Sequence, residues 1–179
     1  LTAYHNTLPR QYLGFALRLE AERMRHLLLT PAALKSEREV VKEEKRQRLE
    51  NSPIGRSLEA IHALAFRKHP YAWTPAGDIG DLQRTKLETY KRFYETYYAP
   101  NNATLVVVGD VTEKQVRELA QKTFGAIPRG KAPPAVSAVE PPQKAKRTLR
   151  ATWASQLSVV LGAYHVPPAR HPDIAALTV

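Results

Sequence analysis

The chain contains no cysteine, one methionine and only eight glycines among its 179 residues. The absence of cysteine excludes a disulfide-stapled fold, a thiolate zinc site and a cysteine nucleophile. No apolar run approaches the roughly 20 residues that a membrane-spanning helix requires. The apolar fraction of 43% and the charged fraction of 25% are typical of a globular protein, so we expect a packed domain.

The two ends of the chain look as if they were cut from a longer protein. Leu1 is not a start methionine, and no signal peptide precedes it. The residues from Asp173 to Val179 have the pattern of a helix that has only begun. We therefore expect a fragment that is incomplete at both ends, in which the lack of a targeting signal carries no information on location.

Positive charge is concentrated in one proline-rich stretch. The formal net charge is +10, and residues 129–150 alone hold six basic residues and one acidic residue, a net charge of +5. Five prolines fall between positions 128 and 142. The basic run Lys144–Arg147 has no aromatic neighbour before Trp153, whereas nucleic-acid binders place aromatic side chains beside their basic faces. A solvated linker over residues 129–146 is therefore favoured over a phosphate-binding patch.

Hydrophobic spacing and capping signals divide the rest of the chain into helices and strands. They predict helices near residues 8–28, 30–50, 55–66, 85–98 and 112–124, with Thr30 and Thr112 as the N-caps of the second and the last. They predict strands at Thr104–Val108, Arg147–Thr152 and Gln156–Tyr164, the first being a mostly β-branched run. Helices beside a sheet, without a strict βαβ alternation, indicate the α+β class.

The helix over residues 35–50 carries the acidic residues of greatest interest. On a wheel of about 100° per residue, Glu37 and Glu44 fall on an apolar sector between the valines of Val40–Val41. A carboxylate turned toward a core is costly unless it is paired, hydrogen-bonded or bound to a metal. The same pattern fits a helix laced with ion pairs, in which Arg48 would pair with Glu44. From the pattern alone, the ion-paired helix is favoured.

Six segments in a consistent order and spacing carry a family resemblance that covers nearly the whole chain. They are Leu19–Met24, Glu37-Arg38-x-Val40-Val41-x-Glu43-Glu44, His69–Tyr71, Tyr97–Val111, Phe124-Gly125-x-Ile127-Pro128 and Gly162-Ala163-Tyr164-x-x-Pro167. Together they resemble the pitrilysin/insulinase family of zinc metallopeptidases, which includes the mitochondrial processing peptidases.

The resemblance implies an architecture for the chain. It implies an α+β lobe of the processing-peptidase type, in which helices pack on a mostly antiparallel sheet. Residues 1–128 would form the distal part of the first lobe, including the zinc-ligand helix. Residues 129–146 would form the proline-rich basic linker, and residues 147–179 the start of the next repeat.

The resemblance also implies roles for two acidic residues. Glu44 matches the third zinc-ligand position, and Glu37 matches an acid that assists catalysis without binding the metal. The H-x-x-E-H motif, which in the family supplies two histidine ligands and the general base, does not occur in residues 1–179. We therefore expect Zn²⁺ in the complete protein and neither zinc nor activity in the fragment by itself. No other cofactor-binding residue is predicted.

Three functions follow, in decreasing order of support. The first is a piece of a zinc-dependent metalloendopeptidase that hydrolyses peptides and takes its distal glutamate ligand from this chain. The second is a non-catalytic partner domain of the same family, and the third is a basic nucleic-acid-binding module. The first two imply a peptide substrate, a homologous second domain or subunit that closes a chamber, and no nucleic acid. The bacterial type of the motifs and the lack of cysteine favour a periplasmic or cell-envelope location.

Overall fold

The computed structural model of the chain describes residues 2–154, 156 and 158–178. The chain forms two units, Leu1–Leu34 with Thr85–Ala135 and Lys35–Arg84 with Val136–Val179. The α-helices of the described residues are α1 (Leu13–Arg25), α2 (Pro31–Lys45), α3 (Pro53–Ala65), α4 (Ile79–Arg84), α5 (Leu87–Tyr97), α6 (Glu113–Phe124) and α7 (Ile174–Leu177).

The predicted sheet is absent from the described residues, so the α+β assignment with a mostly antiparallel sheet is wrong for them. None of the described residues at 104–108, 147–152 and 156–164 forms a strand, and Leu157 lies outside the described residues. A β-branched run favours extended backbone, but a strand exists only where a second segment completes the ladder of hydrogen bonds. Val106 and Val108 are instead 75% and 92% exposed.

Two predicted helix starts are confirmed by their capping hydrogen bonds. The Thr30 hydroxyl accepts from the Ala33 amide at 3.1 Å, and the Thr112 hydroxyl accepts from the Gln115 amide at 3.2 Å. Each bond satisfies a backbone donor that the first turn of a helix leaves unpaired. The helix that begins after Thr30 keeps α-helical geometry to the end of α2 and continues as a π-helical turn over Arg46–Glu50.

Helix α1 supplies most of the buried apolar side chains of the first unit. Leu13, Leu17 and Ala21 repeat every four residues on one face, and each is at most 9% exposed. Helix α1 packs against α6. The Tyr94 hydroxyl of α5 donates to the Arg23 carbonyl at 2.7 Å, which ties α5 to the last turns of α1.

Helix α3 packs against the π-helical turn in the second unit. Ser52 caps α3 by accepting a hydrogen bond from the Gly55 amide at 3.2 Å. Gly55 is buried, and a Cβ at this position would lie 2.6 Å from the Cα of Leu49. Only a residue without a side chain permits this approach of two backbones. The π-helical turn and the start of α3 are therefore held in direct backbone contact.

Much apolar surface remains exposed. Among the described residues, the buried apolar side chains are Leu13, Leu17, Ala21 and Ala99. Val160 and Tyr164, for example, are 97% and 89% exposed. The chain therefore buries only a small core of its own. None of the helices in the described part of the chain is long and apolar enough to cross a bilayer.

Candidate functional site

The four acidic residues of α2, Glu37, Glu39, Glu43 and Glu44, are all exposed. The sector predicted to face a core is not a buried face, because Val40 is 55% exposed. The side chain of Glu44 keeps 48% of its accessible surface. Glu37 and Glu44 therefore lie on the same helix, as predicted, but neither is forced into an apolar environment.

Ion pairs run along α2 and the π-helical turn. Glu44 Oε1 lies 2.8 Å from Nη1 of Arg48, the partner that the ion-paired interpretation of the sequence predicts. Two further pairs join residues three positions apart, Glu39–Lys42 at 2.9 Å and Glu43–Arg46 at 3.5 Å. The Glu44–Arg48 and Glu43–Arg46 pairs are exposed on both sides, and such pairs each contribute about 0.5 kcal/mol or less to stability. The ion pair thus occupies the Glu44 carboxylate without burying it.

Lys45, the neighbour of Glu44, is the one charged side chain that the described residues bury, at 8% exposure. Its Nζ lies 2.9 Å from Oε1 of Glu59 on α3 and donates to the Gly77 carbonyl at 2.5 Å. The Thr74 hydroxyl donates to the same Glu59 oxygen at 3.4 Å. No sequence signal marks Lys45, because basic and acidic residues alternate throughout this helix and both partners lie further along the chain.

The described residues do not fit a complete zinc site. A catalytic zinc takes three protein ligands together with a water molecule. In the part of the chain that the structure describes, no group of three or more histidine, cysteine, aspartate or glutamate side chains could hold a metal ion. Glu44 has the donor chemistry of a single ligand, and Glu37 lies two turns earlier on α2. The structure therefore places the two predicted acids on one helix, and no described residues complete a group of three metal ligands with them.

An open groove of about 410 Å³ lies beside α3, with His62, Tyr71 and Trp73 among its lining residues. His62 Nδ1 lies 2.9 Å from the Tyr71 carbonyl oxygen. The described residues that line the groove include no carboxylate.

Comparison with known proteins gives matches over nearly the whole length of the chain. Residues 85–179 match the family described as the peptidase M16 inactive domain. The zinc protease PqqE of Helicobacter pylori is 38% identical over 186 residues, which cover 99% of this chain and 40% of that protein. The chain thus spans about two fifths of the length of this relative.

Two solved structures also match this chain. A protease from Helicobacter pylori matches with a TM-score of 0.71 and 40% identity, covering 74% of this chain and 32% of that chain. The periplasmic protease PqqL from Escherichia coli matches with a TM-score of 0.66 over 76% of this chain and 15% of that chain. At 22% identity, the second match is a likeness of fold alone.

Proposed function

The chain belongs to the M16 family of peptidases, the pitrilysin/insulinase family, and on that premise we propose that it serves as a non-catalytic partner part of a bacterial zinc protease. In this role the chain forms part of the wall that receives a peptide. The zinc-binding residues of the complete protein then lie outside this chain.

The observation that carries this proposal is the match of residues 85–179 to the inactive domain of the family. Helices α5, α6 and α7 all lie within that range. The surroundings of α2 support the same role, because Glu44 is already paired with Arg48. A partner wall needs exposed surface to contact the rest of the protein, and the exposed apolar side chains at Val160 and Tyr164 supply it.

A zinc-ligand role for Glu44 is the second candidate function, and one observation favours it. The side chains of Glu44 and Arg48 are 48% and 77% exposed, so their ion pair can open at a small cost in free energy. In a complete protein that carries the H-x-x-E-H motif, the freed carboxylate would be the third protein ligand. Glu37 would then be the assisting acid on the same helix.

The two candidates differ in what Glu44→Gln does to the zinc content of the complete protein. If the chain is a non-catalytic partner, the variant keeps the zinc content and the peptide hydrolysis of the wild type. Loss of both would contradict the partner role and support Glu44 as a ligand. Arg48→Met is the matched control, because it breaks the same ion pair and leaves the carboxylate in place. Zinc is measured by elemental analysis of the purified proteins.

A homologous second half and a periplasmic location complete the proposal. The chain spans only 40% of the length of PqqE, which leaves room for a second half that closes a peptide chamber. The structural relative from Escherichia coli is described as a periplasmic protease. Fractionation of the source cells would place the complete protein in the periplasm, and recovery from the cytoplasm would contradict this location.

A further inference from the structure

The proline-rich segment 136–150, which we call the strap, is attached to the loop after α3 by a carboxylate. The side chain of Glu140 accepts hydrogen bonds from three consecutive backbone amides. These are Arg67 at 2.9 and 3.0 Å to its two oxygens, Lys68 at 2.7 Å and His69 at 2.9 Å. Consecutive amides that converge on one anion form a backbone nest, a geometry that binds anions strongly.

A second contact attaches the strap to the end of α3 itself. Arg147 Nη1 donates to the Leu64 carbonyl at 2.8 Å and to the Ala65 carbonyl at 3.0 Å. These carbonyls belong to the last turn of α3, where the helix has no internal donors for them and where its dipole attracts a cation. The Arg147 guanidinium therefore caps α3 from a position more than 80 residues away in sequence.

Contacts beyond the strap hold the chain against the same helix. His165 Nε2 donates to the Ala65 carbonyl at 2.8 Å, and its ring stacks on Phe66 with centroids 4.7 Å apart. The Arg56 guanidinium, in the first turns of α3, lies 5.3 Å from the ring centre of Trp153. The chain thus contacts both ends of α3 between positions 140 and 165.

We propose that the strap is a built-in clasp, in which the Glu140 carboxylate and the Arg147 guanidinium fix the proline-rich segment to the C-terminal end of α3. Pro141 and Pro142 follow Glu140 directly and restrict the backbone, so an anchor at Glu140 also fixes the direction of the residues after it. Neutralising Glu140 removes the anion from the nest and releases the segment.

The charges around the clasp favour the ionised carboxylate. Arg147 lies on the strap, and Arg67, Lys68 and His69 lie on the loop. Desolvation opposes ionisation, but the three backbone hydrogen bonds and the Arg147 charge outweigh it and lower the pKa of Glu140 to about 2. The clasp is therefore closed at neutral pH, and the released state is reached by substitution.

Hydrogen exchange, measured in the whole protein, tests the clasp at the backbone amides that bind the Glu140 carboxylate. In Glu140→Ala, exchange at the amides of residues 67–69 is expected to accelerate about tenfold, because these amides lose a charged acceptor. Glu140→Gln keeps one acceptor oxygen without the charge and should lie between Glu140→Ala and the wild type. Tryptic cleavage after Lys144 and Lys146 should be slowest in the wild type, faster in Glu140→Gln and fastest in Glu140→Ala.

The matched control is Glu113→Gln, which neutralises an exposed carboxylate on α6 and should leave both rates unchanged. Amides within α3 serve as the internal reference and should keep their protection in every variant. Unchanged exchange at residues 67–69 in Glu140→Ala would overturn the proposal. It would equally be overturned if α3 lost its protection together with residues 67–69 in Glu140→Gln, since the contact would then be part of the general fold rather than a separable clasp.

Discussion

Helix α2 and the strap are both rich in charge, but they use it over different distances in the sequence. On α2 and its π-helical turn, the pairs formed by Glu39, Glu43 and Glu44 join residues three or four positions apart. On the strap, Glu140 and Arg147 reach residues more than 70 positions earlier. Short-range pairs stabilise a helix that could form in several tertiary settings, whereas long-range contacts select one of those settings.

Lys45 shows that a single helix can carry both short-range and long-range ion pairs. It sits on α2 among the short-range pairs, yet its partners are Glu59 on α3 and the Gly77 carbonyl. Burial strengthens the electrostatic interaction and also makes an unpaired charge costly. One buried, long-range pair is therefore expected to outweigh all of the exposed pairs on the same helix.

The largest expected effect comes from breaking that long-range pair. Lys45→Met should lower the free energy of unfolding by about 3 kcal/mol, because it leaves the partly buried Glu59 carboxylate without its cation. The measurement is urea denaturation followed by circular dichroism. Lys114→Met, at a side chain that is 86% exposed on α6, is the matched control and should change the free energy by less than about 0.5 kcal/mol. Equal effects of the two substitutions would contradict the claim that the buried pair stabilises the protein more than an exposed pair.

The second effect concerns pH and the strap. The pKa of Glu140 falls from 4.5 to about 2 in the folded protein. A group whose pKa is lowered on folding adds stability above its unfolded pKa and loses it as protons bind to the folded state. The stability difference between the wild type and Glu140→Gln should therefore be constant above about pH 5.5 and shrink between pH 4.5 and 2. A difference that does not change with pH over that window would show that the Glu140 charge does not act through the nest.

The smallest effect is expected at the exposed pair on α2. Arg48→Met should lower the free energy of unfolding by about 0.4 kcal/mol, because the pair with Glu44 is exposed to solvent and four residues apart. The effect should vanish in 1 M salt, at which the Debye length is about 3 Å. A loss of stability above about 1 kcal/mol, or one that persists in high salt, would contradict the prediction that this exposed pair contributes little.

Helix positions and caps are the part of the fold that could be predicted from the sequence. The hydroxyls of Thr30 and Thr112 cap their helices as predicted, because a cap depends only on residues within one turn. The predicted sheet, by contrast, is wrong for the described residues. The run around Val106 has strand-forming residues, but nothing within the run specifies a segment to pair with it.

In the candidate site, too, contacts between residues close in the sequence were predictable and contacts between distant residues were not. The Glu44–Arg48 pair was predictable from its spacing of four residues, and the structure contains it. The catalytic role of Glu37 and the ligand role of Glu44 stay predictions, since the H-x-x-E-H motif that both would need does not occur in residues 1–179. Lys45 and Glu140 carried no signal in the sequence, because a lysine on a charged helix and a glutamate in a linker look like solvent-exposed residues.

The sequence by itself was sufficient to predict the main helices, their caps and the surface ion pairs. It was also sufficient to identify the family to which the chain belongs. Each of these depends on residue types within a few positions or on the order of short motifs. Both can be recognised from the amino-acid sequence alone. Tertiary structure alone decided that Lys45 is buried against Glu59 and that Glu140 enters a nest of three amides. Such contacts form only when distant segments approach each other, and the free energy of that approach belongs to the packed structure as a whole.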